Sequence, residues 1–146
     1  MRTIIKIISA FLILLTLPIT SVTEDEEEYV QVSYFIKPDI LKPNSEAKLY
    51  LNFFPKAGIH INIDPPIELQ LDNKIATLKK LELSKSKNSE YLDHNKPIVQ
   101  SIKLNKNLKP GKIKLTGNLT YFYCSEKDGW CSKAEQSIEL NITIKK

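Results

Sequence analysis

The chain has 146 residues, 26% of them charged and 42% hydrophobic, with a formal net charge of +4, the composition of a single globular domain. The lysines are scattered between apolar runs, and Lys79-Lys80 is the one adjacent basic pair in the middle of the chain. That pattern describes a solvated surface and argues against a nucleic-acid-binding stripe.

The chain opens with Arg2 and Lys6, an apolar run from Ile7 to Leu17, then Pro18 and Thr20-Ser21-Val22-Thr23. This is the order of a secretory signal, predicting a signal peptide over 1–23 with cleavage before Glu24. The run falls short of the roughly 20 apolar residues of a membrane span. An uncleaved N-terminal anchor is the alternative. No membrane span is expected in the mature chain. Removing Arg2 and Lys6 takes the net charge from +4 to about +2. Residues 24–146 form one domain on this reading, with Glu24 to Glu28 a disordered acidic leader. The expected location is the periplasm or the exterior, where a disulfide forms and persists.

Strand patterns follow in order. Val30, Val32, Tyr34 and Ile36 alternate with polar residues, as do Ala47, Leu49, Leu51 and Phe53, then Ile67, Leu69 and Leu71. The segment 75–83 is ambiguous: Ile75, Leu78 and Leu81 have helical spacing, whereas Leu81 and Leu83 fit a strand, and a strand is expected. Ile98, Gln100, Ile102 and Leu104 make the next run. The series Ile113, Leu115, Gly117, Leu119, Tyr121, Tyr123 follows, and then Ile138, Leu140, Ile142, Ile144. Period-two alternation marks strands with one face in a core and one in water. Proline and glycine turns separate the runs, among them Lys42-Pro43-Asn44 and Lys109-Pro110-Gly111. About seven short strands with such turns predict an all-β, two-sheet antiparallel sandwich of immunoglobulin-like type. The polar stretch 84–97 reads as a mobile loop.

Between Cys124 and Cys131 lie Ser-Glu-Lys-Asp-Gly-Trp, a reversal that suits a hairpin. Antiparallel flanking strands bring the two cysteines opposite each other, at the Cα separation of about 4.4–6.8 Å that a disulfide needs. Core-facing positions are odd before the turn and even after it. Cys124 is even and Cys131 odd, so both are expected on the outer face, within reach of a foreign thiolate. Two readings stand. One is a redox-active pair. The other is a structural staple in a non-catalytic exported binding module, although closing so short a loop contributes only about 2.5 kcal/mol by chain entropy. Zinc is disfavoured, because His60 and His94 are far from the cysteines in sequence.

The stretch Tyr121-Phe122-Tyr123-Cys124 … Gly129-Trp130-Cys131 resembles the cysteine hairpin of the N-terminal domain of the thiol:disulfide interchange protein DsbD family. The segment Phe53-Phe54-Pro55-Lys56-Ala57-Gly58-Ile59-His60-Ile61, followed by Asp64-Pro65-Pro66, resembles an early part of the same domain. The resemblance covers roughly residues 28 to 145. It implies an immunoglobulin-like periplasmic domain with a reversible disulfide, taking electrons from a thioredoxin-like donor and passing them to oxidised periplasmic thiol-disulfide proteins. It implies Cys131 as the sulfur that forms mixed disulfides and Cys124 as the resolving one. The departures are one more residue between the cysteines than the best-known members have, and Ser132-Lys133-Ala134 where prolines are frequent. The family's transporter continues into membrane helices and a thioredoxin-like domain, so a stand-alone chain is expected to use a separate donor.

Phe122, Tyr123 and Trp130 are the expected partner-contact rim, although parity also makes Tyr121 and Tyr123 core residues. His60, between Ile59 and Ile61, reads as a structural histidine, and His94 as a solvated one. No phosphate-cradling loop or nucleophile motif is present among the four glycines and their neighbours. No cofactor is expected.

Overall fold

The computed structural model describes residues 28–83 and 90–146. The leader expected over 1–23, the acidic residues 24–27 and residues 84–89 of the expected loop 84–97 lie outside them, whereas Leu92 of that stretch is buried. Nine strands run in chain order: β1 (Val30–Lys37), β2 (Ile40–Leu41), β3 (Glu46–Pro55), β4 (Ile59–Ile61), β5 (Glu68–Leu71), β6 (Ala76–Glu82), β7 (Ile98–Leu104), β8 (Gly111–Ser125) and β9 (Trp130–Ile144). One sheet has the order β1-β3-β7-β6. The other has the order β2-β9-β8-β4, with β5 also paired to β8. With β2 taken as a continuation of β1, and β4 and β5 as one interrupted strand, this is the ABED and GFC arrangement of an immunoglobulin-like sandwich. The count exceeds the expected seven because β2 and β4 are two and three residues long, too short for alternation to reveal. One pair departs from the antiparallel plan: β2 runs parallel to β9 through Ile40↔Thr143 and Leu41↔Ile144.

The core lies between the sheets. Leu49, Leu51 and Phe53 of β3 and Ile98 of β7 meet Leu119 and Tyr121 of β8 and Ile138 of β9 at one end. Ile36, Ile102, Leu104, Leu115, Ile142 and Ile144 close the other. The Tyr121 hydroxyl donates to the Val30 carbonyl, 3.3 Å away in the opposite sheet. Gln100 occupies a core position in an otherwise apolar series and is buried. The reason is a β-bulge in β6 between Leu78 and Leu81, opposite Gln100. An extra residue leaves backbone groups unpaired, and the Gln100 Nε2 donates to the Lys79 carbonyl at 2.8 Å. The same bulge explains the mixed spacing of 75–83, since it sets Leu78 and Leu81 three apart within a strand.

β8 and β9 are the longest strands, fifteen residues each. Their register is unbroken from Gly111↔Ile144 to Ser125↔Trp130. Gly117 pairs with Leu71 of β5. A Cβ there would lie 2.4 Å from the Gln70 carbonyl oxygen and 2.7 Å from Leu71 Cδ2. A backbone oxygen yields little, so Gly117→Ala is expected to cost about 1–3 kcal/mol, an overpacking penalty. A lowered urea midpoint would register it, and an unchanged midpoint would show that β5 moves aside freely.

Burial, with smaller contributions from Tyr123 and Glu28, pushes the Tyr121 phenol up to about 12. Folding thus favours the neutral phenol. Its contribution is complete below the ordinary tyrosine pKa of about 10 and is lost as pH rises through the folded value. Urea midpoints measured from pH 9 to 12 should fall in wild type and fall less steeply in Tyr121→Phe.

Candidate functional site

The tip of the β8–β9 hairpin is a four-residue turn, Glu126 to Gly129, built from local chemistry. Gly129 adopts φ +68°, a conformation glycine takes without steric cost. Its N–H donates to the Ser125 carbonyl at 3.0 Å. Ser125 Oγ donates to Asp128 Oδ2 at 2.7 Å and accepts from the Asp128 N–H at 3.2 Å. One step inward, Cys124 and Cys131 are directly opposed and joined in a disulfide with Cα atoms 4.0 Å apart. That is just below the expected range's lower edge and close to the spacing of a pair that exchanges no ladder hydrogen bonds.

Both cysteines occupy the outer face, because no bulge interrupts β8 or β9. Their exposure differs, against the expectation of a fully accessible pair. Cys131 is exposed, whereas Cys124 is only 7% exposed. The cause is strand position. Cys124 lies on the central strand, with β4 paired on one side through His60↔Cys124 and β9 on the other. Cys131 lies on β9, whose far edge pairs with β2 only at Thr143 and Ile144. Asn62, just past β4, donates from its side-chain Nδ2 to Cys124 Sγ at 3.2 Å.

The segment after residue 89 extends the outer strip. Leu92 N–H donates to the Ile61 carbonyl at 2.8 Å, and Tyr91 forms a bridge with Asn62. The Tyr91 ring stacks on His60, centroids 4.8 Å apart and 20° from parallel. His60 Nε2 lies 3.8 Å from Glu126 Oε2. A hydrogen bond to Glu126 holds the Tyr91 phenol above its ordinary pKa, aided by burial and by the charges of Glu126 and Glu90. His60 thus stands beside the cysteines, not in a core. His94 is exposed and lines the same shallow groove as His60, Tyr91 and Glu126. Among the described residues no group of three or more His, Cys, Asp or Glu is arranged to hold a metal ion.

Of the three expected rim residues, Phe122 alone shares the disulfide's face. Tyr123 and Trp130 project to the inner face, where each packs on Tyr29: centroids 6.0 Å apart for Tyr123 and 5.0 Å for Trp130. Tyr123 and Trp130 also meet edge to face at 5.9 Å. Lys56 Nζ lies 5.5 Å from the Tyr29 ring centroid. This cluster props the hairpin tip from beneath the disulfide. Asn62 and Tyr91 carry no sequence signal of their own as neighbours of the cysteines, and only the docking of β4 on β8 reveals them, whereas Glu126 is near by its place in the turn.

No protein-family model matches the chain, and a search of curated proteins returns no match. No helix among the described residues is long and apolar enough to cross a membrane.

The unequal burial has a chemical consequence. In the reduced protein, iodoacetamide should alkylate Cys131 before Cys124, by about tenfold or more in rate, since alkylation follows thiolate access. Peptide mapping after partial reaction measures the ratio. Equal rates would show that the two sulfurs are equally open once the bond is broken.

Proposed function

We propose that the chain is an exported thiol-disulfide exchange domain that relays electrons through Cys124–Cys131, from a thioredoxin-like donor to oxidised partner proteins, in the manner of the DsbD N-terminal domain it resembles. The observation that carries this reading is the asymmetry of the disulfide: one sulfur exposed at a sheet edge, the other buried beneath neighbours. Exchange requires direct approach of a thiolate to one sulfur and a leaving group on the other. The exposed Cys131 suits attack, and the buried Cys124 suits the leaving and resolving role. The apolar leader supports export to the periplasm, where such a pair cycles between oxidised and reduced forms.

A donor thiolate attacks Cys131 Sγ, the Cys124–Cys131 bond breaks, and the electron pair leaves on Cys124. The donor's second thiol then releases Cys131 and closes the donor's own disulfide. The reduced pair repeats the sequence in reverse on an oxidised partner, with Cys131 attacking and Cys124 resolving. A staple role has little to add at this place, because the turn is already closed by the Ser125 and Gly129 hydrogen bonds.

Two measurements test the relay. Equilibration with glutathione should give a reduction potential above about −300 mV, the upper bound for structural disulfides. In Cys124→Ala, a thioredoxin-like protein from the same compartment should be captured on Cys131 as a mixed disulfide. A lower potential with no captured partner, together with a loss of stability when both cysteines are replaced, would instead establish the pair as the staple of a binding module.

A further inference from the structure

Asn62 is anchored on both sides by backbone. Its N–H donates to the Phe122 carbonyl of β8 at 2.9 Å, and its other edge bridges to Tyr91. Its backbone is thereby fixed, and its side chain lies on the same outer face as Cys124. The two ends of that side chain are treated unequally. Nδ2 donates to Cys124 Sγ at 3.2 Å. Oδ1 is buried and accepts no hydrogen bond among the described residues. A buried acceptor without a donor is costly, and in a native protein it asks for a reason. The sulfur supplies one. A disulfide sulfur carries no hydrogen and can only accept, so the amide turns its N–H to Cys124 and leaves its carbonyl unpaired.

We propose that Asn62 is a positioning residue for thiol-disulfide exchange, whose amide N–H stabilises the negative charge that develops on Cys124 Sγ as the disulfide opens. The inference rests on the exchange reading for its biological use, but its chemistry can be tested without a protein partner. A hydrogen bond to a charged acceptor is roughly twice as strong as one between neutral groups. The bond to Sγ is thus stronger in the transition state and in the thiolate than in the disulfide, and only such differential stabilisation accelerates a step. It acts on one sulfur alone. Attack on Cys131 expels Cys124 into the amide's reach, whereas attack on Cys124 would expel Cys131, whose sulfur has no comparable donor among the described residues. Burial and the amide therefore direct attack to the same atom.

A small dithiol can serve as reductant. Its thiolate forms a bond to Cys131 Sγ as the Cys124–Cys131 bond breaks, and the electron pair stays on Cys124 Sγ. Its second thiolate attacks the reductant's own sulfur, Cys131 leaves as a thiolate, and the reductant becomes a cyclic disulfide. The pair has gained two electrons and takes up the two protons that the dithiol released.

The titratable groups around the pair are His60 on β4, Tyr91, Glu126 in the turn and Lys133 on β9. All are kept in the variants below, so a change reports on Asn62. The experiment has two arms. Reduction of the oxidised domain by dithiothreitol at fixed pH is expected to slow about tenfold in Asn62→Leu, the size of a lost charge-assisted hydrogen bond. In a Cys131→Ser background, where only Cys124 titrates, thiolate absorbance should show the Cys124 pKa rising by about one unit in Asn62→Leu. It should rise further in Asn62→Asp, whose carboxylate repels the thiolate. Asn62→Asp keeps the side chain's shape and carries both arms if Asn62→Leu does not fold. A change in urea midpoint alone, with the rate and thiol pKa unmoved, would overturn the proposal and leave Asn62 a structural residue. A shifted pKa in a domain that captures no partner would keep this inference while removing the relay. An unmoved pKa in a domain that does capture one would do the opposite.

Discussion

The unslipped pairing of β8 with β9 is the constraint on which the site depends. Side chains alternate faces along a strand with a period of exactly two, so a one-residue slip would send each of them to the other face. In the observed register, Cys124 meets Cys131 across the ladder and both lie outside, while Tyr121, Ile138 and Ile142 fill the core. The register is specified redundantly. Ile113, Leu115, Leu119, Tyr121 and Tyr123 on β8, and Trp130, Ala134, Ile138, Leu140, Ile142 and Ile144 on β9, demand the same phase, and the Ser125–Asp128–Gly129 turn closes the hairpin at only one length. The disulfide follows from this register and is not needed to impose it.

A second consequence is that the two faces of one hairpin tip have separate chemistries. Outside are sulfur, imidazole, phenol, carboxylate and amide, brought by β4, the Tyr91 segment and the turn. Inside is a wedge of Tyr29, Tyr123 and Trp130 between the start of β1 and the end of the sandwich. Neighbouring residues in sequence are thereby divided: Trp130 supports the tip from below, whereas Cys131 stands on its upper surface. Half-exposed His60 and exposed Glu126, 3.8 Å apart, contribute little to stability as a surface pair.

Much of the architecture was legible because burial on one face forces alternation. β1, β3, β7, β8 and β9 are long enough for the period to show, and the sandwich follows from them. β2 and β4 were not legible, since two or three residues carry no period. The ambiguous spacing of Ile75, Leu78 and Leu81, and the polar Gln100 among core positions, were two signs of one feature, the bulge in β6, visible only when the strands are paired. In the site, parity placed both cysteines on the outer face, and the same rule puts Trp130, an even position on β9, inside. Burial of Cys124 was beyond sequence reasoning because it depends on where a three-residue strand docks. The placement of Asn62 and His60 was hidden for the same reason: their nearness to sulfur is a property of the β4–β8 register, not of their neighbours in the chain.

These observations bear on what happens when the sulfur–sulfur bond opens. A disulfide that held its own strands together would release them on reduction, and the two thiols would drift apart. Here the backbone ladder continues past the cysteines to Ser125↔Trp130, the turn carries its own hydrogen bonds, and the aromatic wedge grips the inner face. None of these contacts involves sulfur. The tip therefore keeps its shape across the change in oxidation state, and the two thiols stay within bonding distance of each other. Re-forming the bond is then an intramolecular step at high effective concentration, the property that the proposed relay requires of Cys124 as the resolving sulfur.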